Sequence, residues 1–191
     1  SIARYADIAA RSGVEFYAPV GCLMVGPQRG GDNPFVDDVR EAATRLGVAT
    51  ELLDGESLKS RFPYFSFEPG CEGVFERDNA GYVNPRGLVK AQAILAEKAG
   101  LTLIDDIVVS TREEDGRASV QTASGAVYTA DRVLVAACGF SITKDLLPQP
   151  VELNVYARTV AFFEVDEADL GQYAAMPSLI YEPHDTTKHI Y

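Results

Sequence analysis

Arg158 carries a planar fork of donors that can grip a carboxylate through two parallel hydrogen bonds, so it is a candidate for binding a substrate carboxylate. The competing reading makes it a sheet residue or one half of an ion pair. Gly139 ends the apolar run Arg132-Val133-Leu134-Val135-Ala136-Ala137-Cys138-Gly139, where a missing side chain lets the main chain approach a ligand closely or simply turn. His184 and His189 stand five apart with no carboxylate or thiolate cluster beside them, so no metal centre is predicted. Gly26, Gly30 and Gly31 lack the terminal Lys-Ser/Thr of a phosphate loop and the strand-to-helix spacing of a dinucleotide turn, and are read as a surface loop. There is no Gly-x-Ser-x-Gly nucleophile elbow.

The elements that must position these groups are legible in the spacing of apolar residues. Tyr5, Ile8 and Ala9 mark a helix near the N-terminus that stops at Gly13. Short strands are expected over 14–17 and 21–25, then a helix capped by Asn33, started by Pro34 and carrying Val36, Val39, Ala43 and Leu46 on one face up to Gly47. A strand over 51–53, a capped helical turn from Asp54 that Pro63 stops, and a strand over 72–75 follow. Asn84 and Pro85 cap and start the next helix, whose face is Leu88, Ala91, Leu95 and Ala99 before Gly100. Strands are then expected over 101–104, 108–113, 118–122, 127–130 and 133–137; Asp115-Gly116 and Ser124-Gly125 supply the positive φ of tight hairpins. Beyond Pro148-Gln149-Pro150 the pattern predicts a long strand over 152–165 and further strands over 179–181 and 189–191 in one antiparallel sheet.

With 191 residues, 47% of them hydrophobic, the chain can bury a core as one large or two small domains. A net charge of −11, from 17 basic and 28 acidic residues, disfavours nucleic-acid backbones and anionic membrane surfaces, which need a basic field. No apolar run approaches the ~20 residues that span a bilayer, and no signal peptide is read at the N-terminus, so a cytoplasmic location is expected. Cys22, Cys71 and Cys138 are odd in number and scattered, which suits neither a disulfide framework nor a paired-cysteine zinc site; Cys22 and Cys138 read as small apolar fillers.

Gly81-Tyr82-Val83-Asn84-Pro85-Arg86-Gly87-Leu88-Val89, the two Gly-marked hairpins and the strand ending at Gly139 occur in an order that resembles the middle of the FAD-dependent amine and amino-acid oxidases of the D-amino-acid oxidase and sarcosine oxidase superfamily. Leu53-Asp54 to Phe62-Pro63 resembles another segment of that family, and Lys144 to Pro148 followed by Tyr156 to Glu164 resembles its sarcosine and N-methyltryptophan oxidase branch, with Thr159 in place of the branch's Gln. The resemblance implies FAD as cofactor, with Val109 beside the adenine end and Ala137 and Gly139 on the cofactor side. It implies Arg158, Tyr181 and Tyr191 on the substrate side, where a phenol can hydrogen-bond an amino acid while its ring walls the pocket. The strand, Gly-x-Gly-x-x-Gly turn and helix with which these enzymes hold the flavin pyrophosphate are not read here, and no catalytic residue is assigned. The chain is therefore expected to be an internal piece of an enzyme that alone neither holds FAD tightly nor turns over.

The expected fold is α/β (α+β): a substrate-binding antiparallel sheet with helices in two parts, 1–80 and 149–191, and a portion of a FAD-binding domain over 81–148 that includes a three-stranded β-meander. The expected function of the parent is oxidation of the C–N bond of a small amine or amino acid, with hydride passing to flavin and the imine hydrolysing. A homo-oligomer formed through exposed domain faces is a further expectation. Two alternatives stay open at this point: a non-catalytic binding or interaction module of the same shape, and a FAD-dependent 2-hydroxy-acid dehydrogenase.

Overall fold

The computed structural model describes residues 2–143, 145–157 and 159–185. In chain order the elements are α1 (Ile2–Ser12), β1 (Tyr17–Ala18), β2 (Cys22–Pro27), α2 (Phe35–Leu46), β3 (Glu51–Leu53), α3 (Gly55–Arg61), β4 (Cys71–Glu76), β5 (Tyr82–Val83), α4 (Pro85–Lys98), β6 (Val108–Glu114), β7 (Arg117–Thr122), β8 (Val127–Ala130) and β9 (Ser178–Tyr181). Short 3-10 turns occupy Cys138–Ile142 and Glu167–Tyr173. One compact unit comprises Ser1–Leu101 with Glu164–Tyr191, the other Thr102–Phe163.

The first unit is built on a four-stranded sheet of order β3-β4-β2-β9. Strand β4 runs antiparallel to both β2 and β3, with Leu23 opposite Phe75 and Leu52 opposite Val74. Alternation along β2 and β4 sends Leu23, Val25, Cys71 and Phe75 to one face, where Leu53, Leu58 and Phe62 complete the core. Leu23, Val25 and Leu58 are fully buried, and each such side chain stabilises the fold by about 1.5–3 kcal/mol. Gly73 is what lets α3 lie on this face, since a Cβ there would stand 2.8 Å from Leu58 Cδ2. On the opposite face α2 sets its buried Val36 and Phe35 against Gly26 in the same manner.

Capping explains where these helices begin. The Ser57 N–H donates to Asp54 Oδ1 at 2.8 Å, and the Gly87 N–H to Asn84 Oδ1 at 3.1 Å, each satisfying an otherwise orphaned amide of the first turn. Asn33 sits one residue outside its predicted place: Pro34 takes the cap position of α2, while Asn33 Oδ1 accepts from the Phe35 N–H at 2.9 Å. Gly47 closes α2 in the left-handed region at φ 67°. Helices α1 and α4 pack together beside the small β1-β5 sheet, where the rings of Tyr5 and Phe16 meet edge to face at 5.7 Å.

The expectation that 179–181 joins an antiparallel sheet is corrected. Strand β9 lies parallel to β2, with Leu179 opposite Leu23. The intervening chain over 28–177 gives ample length for the crossover a parallel pair needs. The expected strand over 189–191 lies outside the described residues.

In the second unit the meander is as read: β7 pairs antiparallel with β6 and β8, with Asp115 (φ 52°), Gly116 (φ 74°) and Gly125 (φ 89°) at its turns. The expected strands over 101–104, 133–137 and 152–165 are not formed among the described residues. An extended apolar segment is a strand only when neighbours accept its main-chain hydrogen bonds, and no described strand flanks any of these three. Leu134, Phe162 and Phe163 are accordingly 90%, 93% and 86% exposed.

Candidate functional site

The end of β9 brings Tyr181 over the loop that follows α3. Its ring lies 5.4 Å from that of Phe67, and Phe67 in turn lies 5.7 Å from Phe65, so three rings form a continuous wall. Its phenol donates to Glu68 Oε2 at 3.1 Å. The same oxygen accepts the main-chain N–H of His184 at 3.1 Å and lies 2.8 Å from His184 Nδ1.

These contacts set the charge states. Hydrogen bonds from the His184 main chain, the His184 ring and the Tyr181 phenol hold the Glu68 carboxyl below its ordinary value, because each stabilises the carboxylate. Burial, together with the neighbouring Cys71 and Glu68, pushes the Tyr181 phenol up to about 12. Burial also raises the Cys71 thiol, which therefore stays protonated and unreactive at neutral pH. Cys71, not Cys22 or Cys138, is the buried cysteine: it shares the inward parity of Phe75 on β4, whereas Cys138 is exposed at a left-handed φ of 47° in a turn.

The three residues expected on the cofactor side all lie in the second unit. A bulge between Val108 and Ser110 takes Val109 out of register with β7. Ala137 and Gly139, both half-buried, belong to one tight turn in which the Phe140 N–H donates to Ala137 O at 2.9 Å. A Cβ on Gly139 would meet the Val155 methyls at 3.3 Å, so the missing side chain here admits a neighbouring side chain. Thr111 fastens β6 to the chain after this turn: its N–H donates to Asp145 O at 3.0 Å and its hydroxyl to Leu146 O at 2.9 Å.

Arg158, Tyr191 and His189 lie outside the described residues, as does Lys144 of the Lys144–Pro148 segment. Tyr181 is thus the one substrate-side residue whose surroundings are described. Glu68, its partner, carried no signal in the sequence: it is separated from Tyr181 by 113 positions, and only the parallel placement of β9 brings the two together. Among the described residues no group of three His, Cys, Asp or Glu could hold a metal, and no helix is long and apolar enough to cross a membrane.

Residues 1–191 match the family described as FAD dependent oxidoreductase (DAO). Over 171 residues the chain is 31% identical to a monomeric sarcosine oxidase from Bacillus sp. (strain NS-129), covering 88% of this chain and 43% of that protein. It is 28% identical over 157 residues to an N-methyl-L-tryptophan oxidase from Citrobacter koseri, covering 81% of this chain and 38% of that protein. Among solved structures, fructosyl amine: oxygen oxidoreductase (Amadoriase I) from Aspergillus fumigatus shares the fold at a TM-score of 0.62 and 18% identity, covering 93% of this chain and 43% of that one. The chain spans less than half the length of the curated relatives it matches.

Proposed function

The chain belongs to the FAD dependent oxidoreductase (DAO) family, and from that premise we propose that the protein containing it oxidises a C–N bond of a small amine or amino acid. The observation that carries this reading is the family match over the whole chain, together with relatives named as sarcosine and N-methyl-L-tryptophan oxidases. The chemistry a flavin supplies when bound is acceptance of hydride from the substrate carbon, after which water hydrolyses the imine product.

The residues present fit one end of such a cofactor. A bulged residue offers a main-chain amide and carbonyl that are not engaged opposite the partner strand, and Val109 holds that position in β6. Such a donor and acceptor pair matches the edge of an adenine, while Ala137 and Gly139 are assigned to the cofactor side by the resemblance alone. On the substrate side Tyr181 contributes its ring, since its phenol is committed to Glu68. Arg158 is assigned to the substrate carboxylate and Tyr191 to the pocket wall by the resemblance alone. By role, 1–80 and 149–191 form the substrate-binding part and 81–148 the flavin-binding part, a division of function and not of compactness.

The test is the visible absorption of the full-length protein before and after anaerobic addition of N-methyl and D-amino acids. Bleaching of a bound flavin band by one of them is the expected result. A protein that stays colourless when offered FAD would replace this reading with that of a binding module.

A further inference from the structure

The loop that joins α3 to β4 clasps the returning chain at two points. Near its start the Tyr64 phenol donates to Ala175 O at 3.4 Å, and the Tyr64 ring lies 6.0 Å from that of Tyr173. Further along, Phe67 stands beside the Tyr181 ring at 5.4 Å, and Glu68 Oε2 takes the Tyr181 phenol and both contacts of His184. Strand β9 has its place in the sheet without the second clasp. Its ladder to β2 runs from Ser178 to Tyr181, the Ser178 N–H and hydroxyl donate to Gly21 O at 3.1 and 2.9 Å, and the Glu182 N–H donates to Val25 O at 2.8 Å. Those bonds fix the strand where it lies. They leave the Tyr181 ring free to turn about its two side-chain bonds, and its direction is set by Phe67 beside it and Glu68 at its tip.

We propose that Glu68 is a positioning residue for the oxidation: by holding the Tyr181 phenol and the turn at His184 on one oxygen, it aims the Tyr181 ring as a wall of the substrate pocket. This rests on the oxidase reading, in which Tyr181 stands on the substrate side. A ring that samples several rotamers presents the right wall for only a fraction of the time, and apparent affinity falls by that fraction. Glu68 removes this loss by tying down the tip of the ring through a charge-assisted hydrogen bond, about twice as strong as a neutral one. The carboxylate itself is fixed from a second direction, because the His184 main chain and ring meet the same oxygen. The wall is thus ordered before substrate arrives, which lowers the ordering cost of binding. Glu68 acts on the substrate through Tyr181, and both lie within the first compact unit.

The test uses the full-length protein and steady-state oxidation of the N-methyl or D-amino acid that bleaches its flavin. Glu68→Ala should raise KM about fivefold, the worth of one charge-assisted hydrogen bond, and leave kcat within about twofold. Glu68→Gln keeps an acceptor oxygen at the same reach and should recover most of the loss. Tyr181→Phe keeps the ring and removes the bond, so it should raise KM to a similar extent. Adding Glu68→Ala to Tyr181→Phe should then change KM by less than about twofold, since residues that act through one contact are not additive. Hydrogen exchange gives a readout free of turnover: the His184 amide should exchange severalfold faster in Glu68→Ala and not in Tyr181→Phe. A KM unchanged in Glu68→Ala, effects of the two substitutions that multiply, or a His184 amide indifferent to Glu68 would each overturn the proposal while leaving the oxidase reading intact. A parent protein that turns over none of these compounds overturns both together. Should Glu68→Ala not fold, Tyr181→Phe decides alone, because a KM equal to that of the parent would show that the bond to Glu68 positions nothing the substrate meets.

Discussion

Glu68 and His184 stand 116 residues apart in the chain, yet one carboxylate oxygen accepts the His184 main-chain N–H at 3.1 Å and lies 2.8 Å from its Nδ1. Since Tyr181 donates to the same oxygen, one side chain fixes both the last residue of β9 and the loop that leaves it. Among the described residues strand β9 lies at the sheet edge and pairs with β2 alone. The Glu68 contacts therefore supplement a short ladder, and their loss should be felt at the sheet edge first.

The Glu68 carboxyl is held below its ordinary value by the His184 main chain, the His184 ring and Tyr181. A carboxyl with a depressed folded value contributes stability above its unfolded value of about 4.3, and loses it as pH falls through the folded value. Glu68→Gln keeps an acceptor oxygen but removes the charge. Urea midpoints at pH 7 should be lower for Glu68→Gln than for the parent, and the gap should close between pH 5 and pH 3. A gap that stayed constant over that interval would mean the carboxylate charge contributes nothing.

Gly81 and Gly30 should respond very differently to alanine. A Cβ on Gly81 would fall 1.9 Å from Ala18 O, a main-chain atom that cannot yield without breaking the β1-β5 approach. Gly30, at φ 75°, has open space around it. Gly81→Ala should cost roughly 3 kcal/mol, as overpacking against main chain does, and Gly30→Ala about 1 kcal/mol from left-handed strain alone. Thermal unfolding of the two variants side by side measures the difference.

The cap of α4 offers a third test. Asn84 Oδ1 accepts the Gly87 N–H, and Asn84→Ala leaves that amide without its partner. The loss should be about 1 kcal/mol, and Asn84→Asp or Asn84→Ser should restore most of it. Equal stability of the alanine and serine variants would show that water replaces the cap.

What could be read from the chain was local. The caps at Asp54 and Asn84, the positive φ at Asp115, Gly116 and Gly125, and the inward positions of Val36 on α2 and Ala91 on α4 depend on residues within a few positions of one another and formed where read, whereas Leu46, assigned to the same face of α2, is 71% exposed. The segments over 133–137 and 152–165 have equally strong apolar patterns, but a strand takes its hydrogen bonds from elsewhere, and pattern alone does not supply a neighbour. The Glu68 cluster is the extreme case: its members follow no motif, and sequence offers no reason to pair position 68 with 181 and 184 until β9 is known to run parallel to β2. The choice of Cys71 as the buried cysteine likewise turns on strand parity, which a shift of one residue would reverse.

Tyr181 supplies a test of that cluster from the alkaline side. Its phenol is pushed up to about 12, by burial first and then by its neighbours Cys71 and Glu68. A group whose folded value exceeds its unfolded value, about 10 for tyrosine, contributes fully below pH 10 and loses its contribution as pH rises through the folded value. Between pH 10 and 12 the unfolded chain releases the proton that the folded chain keeps, so stability falls there. Tyr181→Phe cannot ionise in either state. It should be less stable than the parent at pH 7, where the hydrogen bond to Glu68 is lost, and should close that deficit as pH is raised from 10 to 12. Tyrosinate absorbance gives the second readout: subtracting the Tyr181→Phe titration from that of the parent should leave one chromophore that appears only near pH 12. A difference curve centred near pH 10 would place the phenol in water and remove it from the Glu68 cluster.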